Sequence, residues 1–185
     1  MTVTFSSTAG SAGGVQQTYD LQHAALLEGQ LSDIRDNTIG TYINEAATVQ
    51  AFGNVMVYNS GGTVANSAVT ISGTADPVVG INVLTYVDET ALDANSRPGV
   101  KSKQALNVAS QGAVAVYVHG AVNPSTVVRV IHSASGVERA GQFRAAAVSG
   151  RTATLSNARY LTSTTGSGLA VLEVNGPSFT LTANT

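Results

Sequence analysis

The chain of 185 residues is 43% hydrophobic and only 11% charged, has a net charge of −2, and contains neither Cys nor Trp. That length suits one domain with a core of its own and an added arm. The lack of Cys excludes a disulfide framework or a thiolate metal site, no apolar run reaches the roughly 18 residues of a membrane helix, and no Lys/Arg-rich stretch invites nucleic acid.

Residues 1–17 (MTVTFSSTAGSAGGVQQ) carry little to bury beyond Val3, Phe5 and Val15. They cannot offset an ordering cost of roughly 1–2 kcal/mol per residue. They read as an arm that is disordered or ordered only against a neighbour, and they lack the basic and apolar regions of a secretory signal. Thr18–Asp36 mixes an Ala/Leu cluster with Gly29 and fits a short helical turn or an extended arm. From Val49 onward the pattern is β: Val49–Tyr58, a turn at Asn59–Gly62, then Thr63–Ile71 and Val78–Tyr86. Ala91–Lys103, with Pro98-Gly99, reads as an exposed polar loop. Ala113–His119 (AVAVYVH) alternates strictly between Val114, Val116, Val118 and the residues between them, which predicts a half-buried strand. A turn at Asn123–Ser125 then predicts a hairpin to Thr126–Ile131, in which His119 and His132 could meet. Gln142–Ala146, Ala153–Leu155 and a final pair, Ala158–Thr162 with Gly168–Val174, complete the pattern, and Ser178–Thr185 could add an edge strand. Turns every 8–12 residues, and 26 Ala, 24 Val, 21 Thr and 18 Ser against 12 Leu, predict a mainly β sandwich or barrel.

The charges are unevenly placed. Residues 1–96 hold nine acids and one base, a net −8, and residues 97–185 hold eight bases and two acids, a net +6. Either the molecule has two surfaces of opposite sign, or the halves interleave and neutralise across strands.

Chemistry-bearing patterns are sparse. The three histidines, His23, His119 and His132, lack the spacing of a zinc site. No G-x-S-x-G elbow occurs, and Gly166-Ser167-Gly168 falls in a hairpin turn. The carboxylate pairs Asp33/Asp36 and Asp88/Glu89 have no aromatic cleft around them. Asp88–Asp93 with Asn95 lacks the ligand spacing and central Gly of a calcium loop, and Gly10–Gly14 leads into neither the Lys-Ser/Thr pair nor the helix of a phosphate loop. No catalytic residue, metal or cofactor is expected.

The order of segments resembles the structural cement (decoration) proteins of tailed-bacteriophage capsids. The resemblance rests on Glu28–Ile34 (EGQLSDI), Ile43–Val57 (INEAATVQAFGNVMV), Val79-Gly80-Ile81, Gln111–Val118 (QGAVAVYV) and Asn157–Val174 (NARYLTSTTGSGLAVLEV), so it covers about residues 28–176. The family's "Y-x-x-G" before the central hairpin is replaced by Val100–Ala109, and the arm is long. The resemblance implies a small antiparallel β-barrel or jelly-roll-like domain at 28–176, with an extended N-terminal arm at 1–27 and a tail or edge strand at 177–185. It implies a non-enzymatic protein on the outer surface of an HK97-type virion capsid, made in the host cytoplasm. The partners would be the phage major capsid protein and itself, as homodimer or homotrimer, with no nucleic acid, membrane or small-molecule substrate. A carbohydrate-binding or adhesion β-domain on a virion or cell surface is the alternative. For contacts to capsid or subunits the sequence nominates the arm, through Val3, Phe5, Val15 and Tyr19, and the polar loop, through Arg97, Lys101 and Lys103.

Overall fold

The computed structural model describes residues 3–4, 18–19, 26–33, 36–85, 91–94 and 96–184. Among them are strands, turns and bends and no helix, as a chain rich in Val and Thr dictates. β1 (Val3–Thr4) pairs antiparallel with β2 (Thr18–Tyr19). The body begins with β3 (Thr38–Asn44), followed by β4 (Gln50–Ala51), β5 (Val55–Tyr58), β6 (Ser67–Thr70), β7 (Val78–Asn82) and β8 (Gly99–Val100). The 15-residue β9 (Ala105–His119) leads to β10 (Arg129–Ile131), β11 (Phe143–Arg144), β12 (Thr152–Leu155), β13 (Ala158–Tyr160), β14 (Gly168–Asn175) and β15 (Leu181–Ala183).

The strands β9-β3-β6-β5-β7 return to β9 and close a five-stranded barrel. Every ladder in it is antiparallel except β3–β6. All five strands contribute to one apolar cluster containing Tyr42, Met56, Ala68, Val79, Leu106 and Val108, which marks the barrel interior. The β4–β8 ribbon packs on this cluster through Val100. The buried amide of Asn44 donates to Val100 O at 2.9 Å, and that of Asn82 to Gln50 O and Ala51 O at 3.1 and 3.0 Å, so backbone carbonyls in the ribbon are not left bare.

The second half of β9 leaves the barrel and becomes part of a sheet. Gln111–Val118 pairs with β14, which forms the closing hairpin with β13. Beyond β9 lie β11, β10, β12 and β15 in that order. The inward residues of this sheet, including Val114, Val116, Val118, Val130, Phe143, Leu155, Tyr160 and Leu172, pack against Val55, Val57 and Ile81 from the barrel strands and Ile71 just after β6. This larger core joins the two layers.

Three sequence expectations change. The hairpin Ala113–Ile131 does not form, because β11 inserts between β9 and β10, parallel to the first and antiparallel to the second. His119 therefore pairs with Arg144 and not with the β10 segment. Ala91–Lys103 is not wholly exposed: Ala91, Gly99 and Val100 are buried where β8 pairs with β4. A strand also forms at Thr38–Asn44, outside the expected ones, where Gly40 and two Thr three residues apart break the period of two.

Candidate interaction site

Residues 26–32 run between β9 and the segment that follows β7. Gly29 N donates to Ala115 O at 2.7 Å, Leu84 N to Gly29 O at 2.8 Å, and Ala115 N to Gln30 O at 2.8 Å. Gly29 has φ of +81°, and a Cβ there would sit 2.6 Å from Phe52 Cβ, so only glycine fits this crossing. The preceding Glu28 reaches Arg97.

Arg97 is the hub of this corner. Its Nε donates to Asp93 Oδ2 at 3.0 Å and one terminal nitrogen to Glu28 Oε1 at 2.7 Å, while both terminal nitrogens approach Asn54 Oδ1 at 3.4 Å. Only 15% of its side chain is exposed, and its own amide N donates to Asp93 Oδ1. Burial raises the Glu28 carboxyl above its ordinary value; attraction to Arg97 opposes this, and the Asp93 charge adds to it. The guanidinium thus ties the segment at Glu28, the polar loop and the β4–β5 turn together.

The other nominated residues lie apart from this hub. Lys103 is two-thirds exposed and its Nζ is 3.6 Å from Glu45. That carboxylate also accepts from Thr63 Oγ1 at 2.5 Å, and this bond holds it below the ordinary carboxylate range, with Lys103 adding to the effect. Lys101 is half-buried and makes an interaction of its own. Val3 and Tyr19 are brought opposite each other by the β1–β2 pairing, and Phe5 and Val15 lie outside the described residues.

One group was invisible in the sequence. The buried Glu138, in the loop before β11, forms ion pairs with Arg144 and, at 2.7 Å, with Arg151. Thirteen residues separate Glu138 from Arg151, and no local motif announces the contact; the fold of β10, β11 and β12 creates it. Among the described residues no three His, Asp or Glu side chains converge as metal ligands. His119 Nε2 lies 2.9 Å from Gln142 Oε1, and its ring meets Tyr117 edge-on at 5.1 Å.

These features are those of a scaffold with charged surfaces. A family model described as structural cement protein (E217 gp24/Pam3 gp6) matches residues 15–175. Among solved structures, a chain from the capsid of Myoviridae phage XM1 superposes with a TM-score of 0.62 at 17% identity, over 84% of this chain and 94% of that one, and so shares its fold. No curated protein matches the chain. With the family model spanning most of the sequence, the chain belongs to the phage structural cement proteins.

Proposed function

We propose that this protein binds the outside of an HK97-type phage shell and bridges neighbouring major capsid subunits. Membership of the cement family, matched over residues 15–175, carries the reading and supports a structural role in the capsid. The proposed division is an arm at 1–27, a body at 28–176 and a tail at 177–185, with no catalytic function. The arm (through Val3, Phe5, Val15 and Tyr19) and the loop rim (through Lys101 and Lys103) are proposed as contacts. Arg97 would act there by anchoring the arm root. A protein that binds only the assembled shell stabilises it by about RT ln(1 + [L]/Kd). Two weak footprints on adjacent subunits add roughly 10²–10⁴ in avidity.

The test is co-sedimentation of the purified protein with expanded shells built from the major capsid protein, and shell heat resistance with and without it. Binding and a raised disruption temperature are expected; failure to bind overturns the proposal. Deleting residues 1–17 should weaken binding while the isolated body keeps its melting temperature, and unchanged binding would remove the arm from the contact.

A further inference from the structure

The register of the second sheet sets five residues side by side across five strands: His119 on β9, Arg144 on β11, Arg129 on β10, Thr154 on β12 and Thr182 on β15. The adjacent row, Val118, Phe143, Val130 and Ala153, is buried. Side chains alternate between faces, so the row with His119 and the two arginines lies on the outer face, and each of its members is at least partly exposed. Four strand spacings make it about 19 Å long.

Like charges placed directly opposite on neighbouring strands are unfavourable, yet Arg129 and Arg144 are such partners. Arg144 is partly neutralised by Glu138, which also serves Arg151. Arg129 has only carbonyls, Ala145 O at 2.6 Å and Val127 O at 3.4 Å, and no ion pair with a described carboxylate. Residues 111–184 hold five arginines against two glutamates, and one of those, Glu173, pairs with Arg159 elsewhere. Arg129 and Arg144 thus set two guanidinium groups side by side on this face, with Glu138 paired to one of them. Beside the row runs a groove of about 460 Å³, bordered by His119, Arg144, Glu138 and Ser167. Val137, 77% exposed, adds apolar surface beside it, lining an adjoining groove with His119 and Ser167. Arginines flanked by apolar side chains are what interfaces favour.

Among the described residues, a second copy of this chain offers few carboxylates for this charge. Of the eight acidic residues that the structure describes, seven are engaged within the chain: Glu28 and Asp93 on Arg97, Glu45 on Lys103 and Thr63, Asp76 on the Ser72 and Gly73 amides, Glu138 on two arginines, Glu173 on Arg159, and Asp33 in an interaction of its own. We infer that the row His119–Arg144–Arg129, with its groove, is a docking face for an acidic, carboxylate-bearing segment of the shell subunit. This rests on the capsid reading above, and it assigns contact to a face that the sequence did not nominate.

Two variants test it. Arg129→Gln removes the charge but keeps a donor for Ala145 O. Thr182→Glu adds a negative charge at the exposed end of the row without touching the arginines. Ser60→Glu, in the exposed β5–β6 turn, is the control, and unchanged melting curves establish folding. Binding is read by co-sedimentation with expanded shells that lack the cement protein, with and without poly-L-glutamate as competitor. The wild type should bind, and poly-L-glutamate should compete. Arg129→Gln should weaken affinity about tenfold, the worth of one charge-assisted contact near 1.4 kcal/mol, and Thr182→Glu should weaken it too, with Ser60→Glu unchanged. The differences should shrink as salt rises from 0.1 to 1 M and the screening length falls from about 10 to about 3 Å. Wild-type affinity and salt dependence in both variants would overturn the docking face while leaving the capsid reading intact. A wild type that does not bind shells would overturn both. Altered sedimentation of free Arg129→Gln with intact shell binding would give the face to self-contacts and overturn the inference.

Discussion

Replacing Arg97 by alanine separates an internal role from an external one. The substitution deletes two charge-assisted hydrogen bonds, to Glu28 at 2.7 Å and Asp93 at 3.0 Å, each worth about 1.5–3 kcal/mol. It also removes the balancing charge from two carboxylates whose side chains are only 16% and 12% exposed. Breaking a buried pair by removing one partner costs about 3–5 kcal/mol. Taking the lower end, because Asp93 keeps its bond from the backbone amide of residue 97, the loss is about 3 kcal/mol. For a domain of this size 1 kcal/mol shifts the melting temperature by about 2–4 °C, so Arg97→Ala should melt about 6–12 °C lower. Arg97→Lys should fall between, since an ammonium cannot fork to both carboxylates. The assay is thermal unfolding of the isolated protein at neutral pH, repeated with Glu28→Gln to complete a double-mutant cycle. A melting temperature within about 2 °C of wild type, or no coupling to Glu28, would refute the hub.

Other substitutions probe the core and the crossing. Phe143, fully buried between the layers, should cost about 3–5 kcal/mol as alanine, whereas Tyr160→Phe should be neutral or stabilising, because its buried hydroxyl has no partner among the described residues; urea midpoints at constant m distinguish the two. Gly29→Ala should cost at least about 2 kcal/mol, from its φ and from the contact with Phe52, read as a lower melting temperature. Two carboxylates should respond to pH in opposite senses. The folded-state value of Glu45 is depressed, so its contribution is present above the ordinary carboxylate range and lost as pH falls through that depressed value; Glu45→Gln should therefore converge with wild type in acid. The folded-state value of Glu28 is raised, so its contribution is present below the ordinary range and lost as pH rises through the raised value, and Glu28→Gln should lack that loss in a melting series across pH 4–7.

What was legible came from periodicity. The second half of β9 and the closing hairpin carry alternating Val, Ala and Leu with small turn residues, and both are strands in the structure. The edge pairing of the tail at Leu181–Ala183 is likewise where an edge strand could be read. The insertion of β11 was not legible, because two residues, Phe143 and Arg144, leave no period, while a neighbouring strand in sequence is the usual partner. Arg97 sits in a polar Pro-Gly stretch whose composition indicates solvent. Its partner Glu28 lies 69 residues away, where no local pattern can reveal it. The cationic row exists only through register, which joins His119, Arg144 and Arg129 from three separate segments. The charge asymmetry itself was plain in the sequence. Residues 38–82 build the barrel with the first half of β9, and residues 111–183 build the sheet, while Arg97 and Lys103 pair with Glu28, Asp93 and Glu45 of the acidic half, so part of the asymmetry is neutralised within the molecule.

The shared strand also has a mechanical meaning. β9 is a single beam whose first half is laced to β3 and whose second half is laced to β14. Antiparallel hydrogen bonds run across the strand direction, so tension along β9 loads those ladders in shear, many bonds at once, and cannot unzip them one by one. A pull on the sheet is thereby carried into the barrel by the backbone itself. A clamp between neighbouring subunits built this way would yield by losing its grip before it came apart.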